Sequence, residues 1–172
     1  RITIVVEDDR LERFCREALM QLGYYRKEIR VRKSPPGKGS GKSWVTQQHV
    51  AEVKTLRSRN YQSLAVLIGS DVDELSLKER IAQLEESLRV SNLDERGTDE
   101  RIAYWLPKWH IETWLMAFNG HEVTEMTDYK NQLSTVNFKN VGAAYVKHYR
   151  NRDDLGLPSL ANTFAETVRI ES

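Results

Sequence analysis

Leu64-Ala-Val-Leu-Ile-Gly69 is an uninterrupted apolar run that ends in Ser70-Asp-Val-Asp-Glu74. A run of that length without polar alternation predicts a strand buried on both faces, the pattern of a parallel sheet covered by helices on each side. Toward the N-terminus, Ile2-Thr-Ile-Val-Val6 is a second β-branched run, and it ends in Glu7-Asp8. Between the two runs the apolar spacing changes period. Leu11, Phe14, Cys15, Ala18, Leu19 and Leu22 recur at helical intervals, with Asp9 as the expected N-cap and Gly23 as the stop. Glu28 to Arg32 alternates charged and apolar residues as an edge strand does. Ser34 to Ser43 reads as a flexible basic loop, and a helix is expected from about Trp44 to Ser58.

Toward the C-terminus the alternation continues. Leu77 to Leu88 is an amphipathic helix, Asn92 to Glu100 a polar loop, and Arg101 to Leu106 a fourth strand stopped by Pro107. Lys108 to Phe118 is expected as a short helix with Ile111, Trp114, Leu115 and Phe118 on one face, and Pro158 to Ile170 as the last helix. Strands separated by helices of this length predict an α/β fold, a mainly parallel four-stranded sheet with right-handed crossovers. At 172 residues one domain is expected over 1–172, with a core of about 1–118 and a helical C-terminal extension of about 119–172.

Composition narrows the setting without naming a function. Hydrophobic residues at 40% and charged residues at 30% suit a globular chain, and no apolar run approaches the roughly 20 residues that cross a bilayer. No membrane association is expected. The chain opens on a strand instead of a secretory leader, and its single cysteine, Cys15, sits on the apolar face of the first helix, so a cytoplasmic setting is expected. A net charge of +1 gives no global attraction for nucleic acid. Local clusters must carry any such role, and the clearest holds Arg26, Lys27, Arg30, Arg32, Lys33, Lys38 and Lys42 against Glu28.

In an open parallel sheet, ligands bind outside the carboxyl ends of the strands. Glu7 and the pair Asp71/Asp73 stand at two such ends. If those strands are neighbours, three carboxylates meet, and like charges that close are costly unless a cation neutralises them. Hard oxygen donors without Cys/His spacing predict Mg²⁺ or Mn²⁺ and argue against zinc. The bland alternative is that acids after strands serve as helix N-caps, a role expected of Asp8 or Asp9. Glu112, just after the fourth strand, is the candidate fourth carboxylate, as a further metal ligand or general base. Lys108 and His110 are candidates to stabilise a phosphate or leaving group.

Gly37-Lys-Gly-Ser-Gly-Lys-Ser43 invites comparison with a nucleotide-binding P-loop. Pro36 stands where the first glycine of that motif belongs, and the charged segment before it is no buried strand. A mobile basic loop whose Lys38 and Lys42, with Arg30 and Arg32 nearby, contact DNA phosphates explains the same residues. A plain surface loop is the alternative. Tyr145 to Arg152 mixes aromatic and basic groups and reads either as a nucleic-acid contact or as a solvated helix face. His49, His121 and His148 lack any triad or metal spacing and are expected at the surface or at an interface.

A Glu ending the first strand and an Asp-x-Asp ending the third, with β-α-β-α-β between them, resembles the Toprim fold of topoisomerases, primases and the OLD-type (overcoming lysogenisation defect) nucleases. That family usually has Glu-Gly where this chain has Glu7-Asp8, which leaves Asp8 as a competing ligand. Val6-Glu-Asp8, Gly37-Lys-Gly-Ser-Gly41 with Trp44-Val45, Asp71-Val-Asp73 and Pro107-Lys-Trp-His-Ile-Glu-Thr-Trp-Leu115 look similar to small bacterial Toprim-like proteins that accompany ATPases in phage-defence loci. Those segments run through about two thirds of the chain. The resemblance implies a metal-dependent endonuclease acting on DNA, with Glu7, Asp71, Asp73 and Glu112 on the metal, Lys108 as electrostatic helper and an ATPase as partner. RNA as substrate and a homo-oligomer stay open. No tyrosine suggests a topoisomerase nucleophile, and the chain is short for a primase, so hydrolysis is favoured. A catalytically degenerate Toprim module that regulates a partner ATPase is the alternative; a phosphatase of small nucleotides is a third.

Overall fold

The computed structural model describes residues 1–37, 39–59, 63–133 and 135–171. Its centre is a four-stranded, all-parallel sheet in the order β2-β1-β3-β4, made of β1 (Ile2–Val6), β2 (Ile29–Lys33), β3 (Ala65–Gly69) and β4 (Ile102–Trp105). The expected α/β class is therefore the one observed. The two fully apolar runs are the central pair: β1 and β3 lie side by side with Val6 opposite Gly69, and every residue of both is buried. The alternating segment is the edge strand β2, whose Arg30, Arg32 and Lys33 are exposed.

Side-chain alternation divides the core into two layers. Ile2, Ile4, Val6, Ala65, Leu67, Ala103 and Trp105 point to one face, where α1 (Asp9–Gln21), α4 (Glu112–Phe118), α5 (Phe138–Arg150) and α6 (Pro158–Glu171) pack. Val5, Val66, Ile68, Ile102 and Tyr104 point to the other, under α2 (Gly41–Arg59) and α3 (Leu77–Val90). The segment expected as a C-terminal extension is part of the first layer, since Tyr145, Leu160 and Ile170 share its core with Phe14 and Trp105. Helices α1 and α5 approach so closely at Gly142 that a Cβ there would lie 2.8 Å from the Glu17 carbonyl carbon and 2.9 Å from the Ala18 nitrogen. Among the described residues, no helix is long and apolar enough to cross a membrane.

Several boundaries differ from expectation, each for a local reason. The cap of α1 is Asp8, whose carboxylate accepts the Leu11 N–H at 2.9 Å, so α1 begins at Asp9 and Asp8 is committed to the helix end. Helix α2 starts at Gly41 instead of Trp44, because the Ser40 carbonyl accepts the Trp44 N–H and the Ser40 hydroxyl lies 3.4 Å from the Ser43 nitrogen. That brings Lys42 into the first helical turn. Helix α4 starts at Glu112 instead of Lys108. The segment before it stays paired to the chain leaving β3, through Val72 N–H to the Pro107 carbonyl and Asp73 N–H to the Trp109 carbonyl, each 3.0 Å. His49 is buried, against expectation, wedged between the Ser87 hydroxyl and the Tyr104 phenol at 3.3 and 3.0 Å.

Candidate active site at the carboxyl edge of the sheet

Glu7 follows β1, and Ser70, Asp71 and Asp73 follow β3, so adjacent parallel strands deliver all three acids to one sheet edge. The loop after β3 is held by backbone pairing, and it places Asp73 at φ +55° and Trp109 at φ +59°. Left-handed backbone is tolerated by aspartate and disfavoured by tryptophan, and such strain collects at functional sites. Lys108 explains how the turn persists. Its ammonium donates to the carbonyls of Asp73 and Leu75, both at 2.6 Å, and lies 4.4 Å from the centre of the Trp109 ring. Lys108 thus secures the loop backbone instead of facing the acids' carboxylates.

The pleat continues past the strands and separates the acids. Glu7 and Ser70 continue the α2/α3 face, and the Ser70 hydroxyl donates to Glu7 Oε1. Gly41 packs against Glu7, where a Cβ at Gly41 would lie 3.5 Å from the Glu7 Cβ. Asp71 continues the opposite face. Its Oδ1 accepts the Ile111 N–H at 3.1 Å, and its Oδ2 lies 3.2 Å from His110 Nδ1. The strands are neighbours as the acid cluster requires, yet the carboxylates straddle the edge. Among the described residues, no three His, Cys, Asp or Glu side chains converge on a point where a metal ion would sit.

The protein answers the acids with its own cations. Lys42 Nζ donates to Asp73 Oδ2 at 2.5 Å, and His110 Nδ1 lies 3.3 Å from Asp73 Oδ1. The other ring nitrogen of His110 lies 3.5 Å from Asp128 Oδ2. Asp128 and Ser70 carry no motif that would single them out in the sequence. Burial pushes the Glu7 carboxyl upward against the opposing effects of Ser70, Arg80 and Lys42. Burial also pushes Asp71 up to about 7, with the negative charges of Glu7 and Asp8 adding to it and His110 opposing. The hydrogen bond to Asp71 raises His110 in turn.

The remaining candidates are engaged with other partners. Glu112 is buried and bound to Arg10, Nη1 to Oε1 at 2.7 Å, with the second Arg10 nitrogen on the Leu133 carbonyl. Arg32 reaches Glu52 of α2 at 3.4 Å, and Arg30 lines a hollow with Arg1, Glu28 and Arg59 near the opposite end of the strands. Lys42 is therefore the one basic-loop candidate that the described residues bring to the acids; Lys38 lies outside the described residues. In the C-terminal aromatic–basic segment Tyr145 is core, packed edge-on against Phe14 and Phe164 and tilted against Trp105, and His148 faces Asp153 at 3.1 Å.

As donors, Glu7, Asp71 and Asp73 fit a hard divalent ion: all are oxygen ligands, and burial raises the cost of charge on Glu7 and Asp71, a cost that a dication would relieve. Compared with protein-family models, curated proteins and solved structures, the chain shows no match.

Proposed function

We propose that this chain is a divalent-metal-dependent nuclease domain that hydrolyses phosphodiester bonds of DNA, with Glu7, Asp71 and Asp73 holding Mg²⁺ or Mn²⁺. The observation that carries the reading is the pairing of β1 with β3, which sets a half-buried Glu7 and a buried Asp71 at one sheet edge, where Glu7 raises the cost of charge on Asp71 and Asp73 raises it on Glu7. A dication held there would activate water and stabilise the departing oxygen. Lys42, at the first turn of α2, is placed to leave Asp73 for a phosphate when the acids are otherwise neutralised. His110 lies at the same edge, held from both sides by Asp71 and Asp128, and would pass a proton to a leaving oxygen. Glu112 stays with Arg10 in this reading, and Lys108 acts by shaping the loop. The resemblance of the motifs adds an ATPase partner, a role in phage defence and a cytoplasmic setting.

Nicking of supercoiled plasmid in Mg²⁺ or Mn²⁺ tests this. Wild-type chain should nick, and Asp71→Ala should lower the rate about a hundredfold or more, because it removes a ligand. Equal nicking by both would sink the assignment.

One observation favours a second reading. Lys42 and His110 already neutralise Asp73 and Asp71, as a module that kept the fold and lost the chemistry would arrange them. Such a module would regulate a partner ATPase, and it would neither nick nor bind Mn²⁺.

A further inference from the structure

Arg80 is an unusual residue to find at this edge. It sits on α3 with 1% of its surface exposed, and among the described residues no carboxylate forms an ion pair with it. A buried guanidinium is costly unless its donors are satisfied and a negative charge lies near. The donors are satisfied by neutral oxygens. Nε and Nη2 both reach the Ser70 hydroxyl, at 3.3 and 2.9 Å; Nη1 reaches Thr46 Oγ1 and Gln83 Oε1, each at 3.1 Å; Nη2 also lies 3.5 Å from the Lys42 carbonyl. The countercharge stands one group further on. Ser70 receives Arg80 on its lone pairs, so its single proton is free to point the other way, and it donates to Glu7 Oε1.

We infer that Arg80 is a positioning residue: through the Ser70 hydroxyl it fixes the Glu7 carboxylate, occupying Oε1 and leaving Oε2 as the oxygen presented to the crevice. The direction of the relay follows from counting. Arginine can only donate, a hydroxyl has one proton to give, and a carboxylate that accepts that proton must be oriented to do so. The two hydrogen bonds from Arg80 prevent Ser70 from turning its proton toward α3. Arg80 touches no reacting atom. Its part in the proposed chemistry, which rests on the nuclease reading, is to let Glu7 offer one oxygen in a set position instead of swinging toward Lys42.

The relay can be tested on the metal-free chain, independently of any activity. In a double-mutant cycle read by urea unfolding, Glu7→Gln and Arg80→Met should be coupled by on the order of tenfold in the unfolding equilibrium, although the two side chains do not touch. The coupling should fall to the smaller part carried by direct charge attraction when the cycle is repeated in Ser70→Ala. Additive effects, or coupling undiminished by loss of the hydroxyl, would overturn the relay. If Arg80→Met does not fold, Arg80→Lys replaces it in the cycle, since an ammonium cannot supply the two-nitrogen fork to Ser70 and the same Ser70-dependent coupling should appear. Mn²⁺ titration of the folded variants then reads positioning. Ser70→Ala should weaken Mn²⁺ binding about tenfold with Glu7 still present, and unchanged affinity in Ser70→Ala would overturn the positioning role. A wild-type chain that binds no Mn²⁺ but shows the Ser70-dependent coupling supports the relay and removes the nuclease reading alone.

Discussion

Asp71→Asn should make the metal-free chain more stable at pH 8 while abolishing metal-dependent cleavage. The unfolded chain ionises this carboxyl near pH 4, whereas burial holds the folded one neutral until about pH 7. A raised folded value means that the stability contributed by the neutral acid is fully present below pH 4 and is lost as pH rises through about 7. At pH 8 the folded chain carries a buried charge that asparagine removes. Asparagine keeps an oxygen for the Ile111 N–H and offers an amide to a neutral His110, so the turn before α4 is preserved. The melting temperature at pH 8 should rise by about 4 °C or more, and the gain should fade toward pH 4. A variant less stable than wild type at pH 8 would mean that Asp71 is held as a structural anion, and the buried-charge argument would fail.

The second large effect is stabilisation by metal. An ion that binds only the folded chain adds stability in proportion to the logarithm of its excess over the dissociation constant, and it must compete with protons for its ligands. Glu7 and Asp71 both hold protons more tightly than ordinary carboxyls. Millimolar Mn²⁺ should therefore raise the melting temperature by about 5 °C at pH 8 and by much less at pH 5. Differential scanning fluorimetry across that range measures it. An equal shift at both pH values, or one that persists in Asp71→Asn, would place the ion elsewhere.

The parts of the fold that were legible in the sequence are those with a single strong cause. Ile2–Val6 and Ala65–Gly69 are apolar without alternation because both faces of a central parallel strand are covered, and so the acids that follow them could be placed at the sheet edge. Edge strand β2 showed its exposure in Arg30 and Arg32. Tertiary partners decided the rest. Arg80 looks like any charge on an amphipathic helix, and only the packing of α3 on the sheet brings it under Ser70. Lys42 belongs to a glycine-rich stretch that reads as loop, and Ser40 draws it into α2. Trp109 gives no local sign of its left-handed backbone, which exists because residues 107–109 pair with the chain leaving β3. The meeting of three carboxylates was inferred from strand adjacency, which holds; the pleat then turns Glu7 and Asp71 to opposite faces.

That last point makes a direct measurement decisive. Crystals soaked in Mn²⁺ and measured at a wavelength where manganese scatters anomalously should show one peak at the carboxyl edge of the sheet, about 2.1 Å from oxygens of Glu7, Asp71 and Asp73, with the Lys42 ammonium moved off Asp73. No peak there, with Lys42 still on Asp73 and His110 still on Asp71, would contradict the claim that these acids form a metal centre.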